Sequence, residues 1–156
     1  MRILVLAWGN PARQDDGLGP ALAAALEERA PAGVTISCDY QLQMEDAVVI
    51  SQHDLVVFVD ASTQGDHPFE FQPVQPVQQA SFSSHSVSAA ALLGLSERCF
   101  ERRVPAWLLA IRGYRFEPFI EDLTPQAQDN LHAALAFLDQ QLRGDAPLAL
   151  AGAERP

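Results

Sequence analysis

Three side chains of this sequence, Asp16, Asp60 and His85, combine the types that metal-assisted hydrolysis needs. Two carboxylate oxygens and one imidazole nitrogen suit a borderline divalent ion such as nickel or zinc, with positions left open for solvent or substrate. The same trio can hold and polarise a water beside a peptide carbonyl. The three lie too far apart in the chain for a local metal motif, so this chemistry requires a fold that gathers three loops. Each residue also has an ordinary alternative. Asp16, with Asp15, can supply negative charge at a helix N-terminus. Asp60 can cap a turn, and His85 can be a polar residue at a helix start.

The elements that must position them follow from the hydrophobic pattern. Ile3 to Trp8 is a near-continuous apolar run, as expected for a strand covered on both faces. Val34 to Asp39 alternates, and Leu55 to Val59 is a second continuous run that ends at Asp60. Phe69 to Val74 alternates but carries proline, which suits an edge strand. Trp107 to Ile111 is the last strand. Helices are expected over Gly19–Ala30, Glu45–Ser51, His85–Leu95 (after a serine pair suited to capping) and from Thr124-Pro125 to about Leu142. The order β-α-β-α-β-(β)-α-β-α predicts a three-layer α/β/α sandwich on a mostly parallel twisted sheet of about five strands. Sites in such sheets form beyond the carboxyl ends of the strands. Asp16 follows the first strand, Asp60 ends the third, and His85 opens a helix.

At 156 residues the chain is expected to form a single domain over residues 1–143, with residues 144–156 as a flexible C-terminal tail. Two cysteines without C-x-x-C spacing, Cys38 and Cys99, read as reduced thiols of a cytoplasmic protein. The N-terminal apolar run is too short for a signal peptide, and no stretch reaches the length of a membrane span. The net charge of −10, without a lysine run or arginine stripe, argues against a nucleic-acid partner. The segment Gly9–Pro20 lacks the Gly-Lys-Ser/Thr ending of a phosphate loop, and its acidic pair repels phosphate. Serine hydrolase chemistry is disfavoured because Ser83, Ser84 and Ser86 lack a Gly-x-Ser-x-Gly elbow. Cys38 reads as a small buried hydrophobe, and His53, His67 and His132 as residues of surface loops or helix faces without a ligand role.

Taken in order, the motifs resemble a known family. Ile3-Leu4-Val5-Leu6, Gly9-Asn10-Pro11 and Asp15-Asp16-Gly17-Leu18-Gly19 are similar to the opening of the hydrogenase maturation endopeptidases. The likeness continues through Val57-Phe58-Val59-Asp60-Ala61, Ser84-His85-Ser86, Gly113-Tyr114-Arg115-Phe116-Glu117 and Asp122-Leu123-Thr124-Pro125, and so spans about residues 2 to 142. It implies an aspartyl-protease-like hydrolase that removes a C-terminal extension from the large-subunit precursor of a nickel–iron hydrogenase after nickel insertion. It further implies that Asp16, Asp60 and His85 contact nickel carried by the precursor, with no permanent cofactor. Asp16 or Asp60 is then the candidate general base. The expected partner is the precursor alone, met by a monomer. The stretch Asp39-Tyr40-Gln41-Leu42-Gln43-Met44-Glu45 departs from the Asp-Gly-Gly-Thr/Ser turn of many members and is similar to a subgroup serving cytoplasmic, NAD-linked hydrogenases. Trp8 either narrows the same cleft or packs as a core aromatic. Two other readings stay open: a non-cleaving nickel-dependent chaperone of the large subunit, and a peptidyl-tRNA hydrolase-like enzyme, which the acidic charge disfavours.

Overall fold

A computed structural model describes residues 1–78 and 87–144. Its elements are β1 (Ile3–Trp8), α1 (Leu18–Arg29), β2 (Val34–Asp39), α2 (Asp46–Ser51), β3 (Leu55–Ser62), β4 (Phe69–Pro73), α3 (Ala89–Phe100), β5 (Ala106–Arg112) and α4 (Pro125–Arg143). A single 3-10 turn, Gln14–Gly17, precedes α1. The sheet order is β2-β1-β3-β5-β4; β4 alone runs antiparallel, on β5. Proline is tolerated at this edge, where Pro73 closes β4.

The continuous apolar runs of β1 and β3 are explained by burial on both sides. Ile3, Val5 and Ala7 of β1, with Leu55, Val57 and Val59 of β3, face a core closed by α1 and α4. Leu4, Leu6, Val56 and Phe58 face the opposite core, with α2 and α3. Side chains alternate across a strand, so even-numbered residues of β3 and β5 share the α2/α3 face. Phe58 and Leu92 are fully buried there, and Ser96 donates from α3 to the Ala47 carbonyl of α2 at 2.9 Å. Trp8 meets Phe58 edge-on at 6.1 Å, which makes it a packing residue of this layer. On the other face Phe71 stacks on Trp107 at 4.8 Å.

The helices start and stop for local reasons. Thr124 caps α4 through Ala127 N–H, and Pro125 sits in its first turn. Arg29 ends α1, and Ala30 takes a left-handed conformation that returns its N–H to Leu26 and Glu27. The helix expected from His85 begins instead at Ala89, because Ser88 is extended and its hydroxyl caps Ala91 N–H. The expected tail, apart from Gly144, lies outside the described residues. No helix among the described residues is long and apolar enough to cross a membrane.

Candidate functional site

β1 leads through α1 to β2 on one side, whereas β3, reached through α2 on the other face, lies on its opposite side. Their carboxyl ends therefore flank a topological switch point, where such sheets open a crevice. The segment leaving β1 is drawn tightly into it. Gly9 has φ +148°, and a Cβ there would stand 2.0 Å from the Asp16 carbonyl oxygen. A Cβ on Gly19 would stand 2.3 Å from the Trp8 carbonyl, so the start of α1 rests directly on the end of β1. In the 3-10 turn between them, Asp16 is half-buried, and its Oδ2 accepts the Asn10 N–H at 2.7 Å.

Asp60 comes from the other side of the switch. The β1–β3 register ends at Ala7↔Val59, whereas the β3–β5 register continues to Ser62↔Arg112. Asp60 is thus within β3 rather than at its tip, at the first position where β1 no longer covers it. Its Oδ1 accepts its own neighbour's N–H, from Ala61, at 2.8 Å. Burial pushes its pKa up to about 7, the Ala61 bond opposes this, and the charge of Asp16 raises it further. The two carboxyls are therefore electrostatic neighbours. Each commits one oxygen to a backbone N–H; among the described residues no donor reaches the other.

A cavity of about 450 Å³ opens beside Asp60, lined by the end of β3, residues 63–65 that follow it, Leu108, Ala110 and Glu70. The registers Asp60↔Ala110 and Glu70↔Ala110 put both acids on one face, separated by a single small residue. Two strand spacings, roughly 10 Å, then separate their backbones. Glu70 went unrecognised in the sequence because its place depends on the antiparallel register of β4.

Asp15, beside Asp16 in sequence, serves a different purpose. It is 0% exposed. Its carboxylate accepts from Tyr114 N–H (2.7 Å), Arg115 N–H (3.1 Å), Thr124 N–H (2.8 Å) and the Thr124 hydroxyl (2.8 Å). Burial works to raise its pKa, but the bonds from Thr124, Tyr114 and Arg115 outweigh it and hold the carboxyl below its usual value. Gly113 leaves the needed room, since a Cβ there would meet the Asp15 Cβ at 2.8 Å. Asp15 thus ties the turn bearing Asp16 to the β5–α4 loop and the start of α4. Asn130 secures the same loop from α4, donating to the Arg112 carbonyl and the Tyr114 hydroxyl, each at 3.0 Å.

Of the three residues singled out in the sequence, the fold brings Asp16 and Asp60 together. His85 lies outside the described residues. Among the described residues no group of three His, Cys, Asp or Glu side chains is placed to hold a metal ion. Two other expectations are corrected. Cys38 is exposed, not buried, because β2 is an edge strand. His53 is buried, not on the surface, with Nδ1 2.7 Å from the Val49 carbonyl at the end of α2. In the stretch after β2, Leu42 is buried and Tyr40 exposed, while Gln43 Nε2 donates to the Gln41 carbonyl at 3.3 Å. Tyr40 also lines a second cavity of about 260 Å³ with Gly9, Pro11, Pro20, Cys38 and Asp39.

Comparison with family profiles gives no match, nor does comparison with curated proteins. Solved structures do match. The chain is similar to the hydrogenase maturating endopeptidase HybD from E. coli, with a TM-score of 0.73 and 24% identity over 92% of this chain and 93% of that one. It is similar to the [NiFe] hydrogenase maturation protease HycI from Thermococcus kodakarensis, with a TM-score of 0.71 and 21% identity over 92% and 93%. The E. coli endopeptidase HycI gives a TM-score of 0.68 and 21% identity over 92% and 90%. The chain has the fold of these proteases across nearly its whole length.

Proposed function

We propose that this protein is an endopeptidase that removes the C-terminal extension of a nickel–iron hydrogenase large-subunit precursor once nickel has been inserted. The observation that carries the reading is the meeting of Asp16 and Asp60 at the switch point, with Asp60 poised near neutrality. The fold shared with maturation proteases supports it, as does the ordered set of motifs from Gly9-Asn10-Pro11 to Thr124-Pro125.

In this reading the nickel belongs to the precursor and acts as the recognition element. The uncommitted oxygens of Asp16 and Asp60 contact it, with His85 as third contact. One of the two aspartates serves as general base, through the second lone pair of the oxygen that accepts its backbone N–H. It takes a proton from water as the water oxygen bonds to the scissile carbonyl carbon. The proton then passes to the departing amide nitrogen as the C–N bond breaks. Burial and Asp16 hold Asp60 near neutrality before the precursor's nickel arrives, and a cation at its free oxygen favours the carboxylate that a base must be. Cleavage is placed in the cytoplasm, where the free thiols of Cys38 and Cys99 stay reduced.

The test is the intact mass of precursor incubated with the purified protein, with and without nickel. Loss of one C-terminal peptide from the nickel-loaded form alone is expected. Stable binding without a loss of mass would instead support a nickel-dependent chaperone.

A further inference from the structure

The β5–α4 loop carries a feature that the hydrolytic site does not use. Phe119 is 92% exposed, and Ile120 beside it is 40% exposed. Phe119 also has φ +65°, a left-handed conformation unusual for a bulky side chain. The loop is fixed in that shape by the turn bearing Asp16. Phe119 N–H donates to the Ala12 carbonyl at 2.7 Å, and Gln14 N–H donates to the Ile120 carbonyl at 2.7 Å. Arg13 and Ile120 form a parallel bridge, and Gln14, facing the loop, has φ +52°. Strained backbone on both sides of a short bridge persists only where surrounding contacts impose it, and such sites cluster at ligand clamps.

We infer that Phe119 and Ile120 form a docking knob for the protein substrate, entering an apolar pocket rimmed by lysine or arginine. This rests on the proposed function and names a second contact between enzyme and precursor. Charge argues for that occupant. Glu117, Glu121 and Asp122 are exposed around the knob, and none of them is in an ion pair among the described residues. The cations nearest in the loop and its bridge are Arg13, whose guanidinium reaches the Phe116 carbonyl at 3.5 Å, and Arg115. The whole chain carries −10. A solvent-facing aromatic whose charged neighbours are three acids and two arginines, an acidic excess of one, matches the pattern of a central anchor ringed by polar contacts. The bridge ties the loop bearing that anchor to the segment that leads into the Asp16 turn, so docking there sets the distance from the partner's surface to the site.

The experiment measures binding and processing of nickel-loaded large-subunit precursor by the full-length protein and by three variants. Phe119→Ser is expected to weaken binding and raise KM about tenfold or more, with kcat within about twofold. Phe119→Leu should retain most of the affinity. Glu121→Lys with Asp122→Lys should slow association and flatten its salt dependence. Equal binding and KM for Phe119→Ser and wild type would overturn the knob while leaving the peptidase reading intact. If wild type binds the precursor without cutting it, the peptidase reading falls, and the same binding ratio still decides the knob. Wild type that neither binds nor cuts overturns both.

Discussion

Replacing Asp60 by Asn tests the electrostatics of the site without disturbing its shape. The amide oxygen can still accept the Ala61 N–H, while the negative charge and its repulsion from Asp16 are removed. In the wild type the pKa rises from 3.8 to about 7 on folding, a little over three units. At about 1.4 kcal/mol per unit this sets a ceiling of about 4 kcal/mol. The partial exposure of Asp60 at the crevice makes about 2–4 kcal/mol the expected range. A carboxyl raised on folding contributes stability that is fully present below pH 3.8 and is lost as pH rises through about 7. Asn does not titrate. The variant should therefore match wild type at acid pH and become progressively more stable than it up to about pH 8. Urea unfolding in chelator at several pH values reads this directly. Stability curves that stay parallel across that window would refute the assignment of Asp60 as a buried, repelled acid.

Asp16→Asn should lower the Asp60 pKa, because it removes the charge that helps to raise it; carboxyl-carbon NMR titration reads the shift. Asp15→Ala should cost about 3 kcal/mol or more by stranding the buried donors of Thr124 and the partly buried N–H groups of Tyr114 and Arg115, measured by urea unfolding. Thr124→Val, which loses both the helix cap and the hydroxyl bond to Asp15, should cost about 1–2 kcal/mol by the same method. Gly9→Ala should abolish processing, since its Cβ would collide with the Asp16 carbonyl and displace the turn; wild-type rates in a folded variant would contradict this.

Much of the fold was legible because apolar periodicity reports burial. Runs covered on both faces marked β1 and β3, and Thr124-Pro125 marked the start of α4. The end of β3 was less legible. Residues 60–62 are held by β5 after β1 has stopped, and pairing length is a tertiary property. The Asp15-Asp16 pair shows the same limit. Adjacent acids look alike in sequence, but the 3-10 turn sends Asp15 into a buried set of donors and leaves Asp16 beside Asp60. Those donors lie about a hundred residues away in the chain, at Tyr114, Arg115 and Thr124. Cys38 was misjudged for a related reason, since alternation in β2 did not reveal that the strand is an edge. Glu70 and Phe119 were invisible without the register of β4 and the bridge to Arg13.

The claim on which the functional account depends is that Asp16 and Asp60 present their free oxygens to one ion. A crystal soaked in millimolar nickel, with anomalous data collected at the nickel edge, tests it most directly. The account predicts one peak at the switch point within about 2.0–2.2 Å of an oxygen from each aspartate, with His85 as a third ligand. A peak held by one aspartate alone, or nickel bound only elsewhere on the protein, would contradict it.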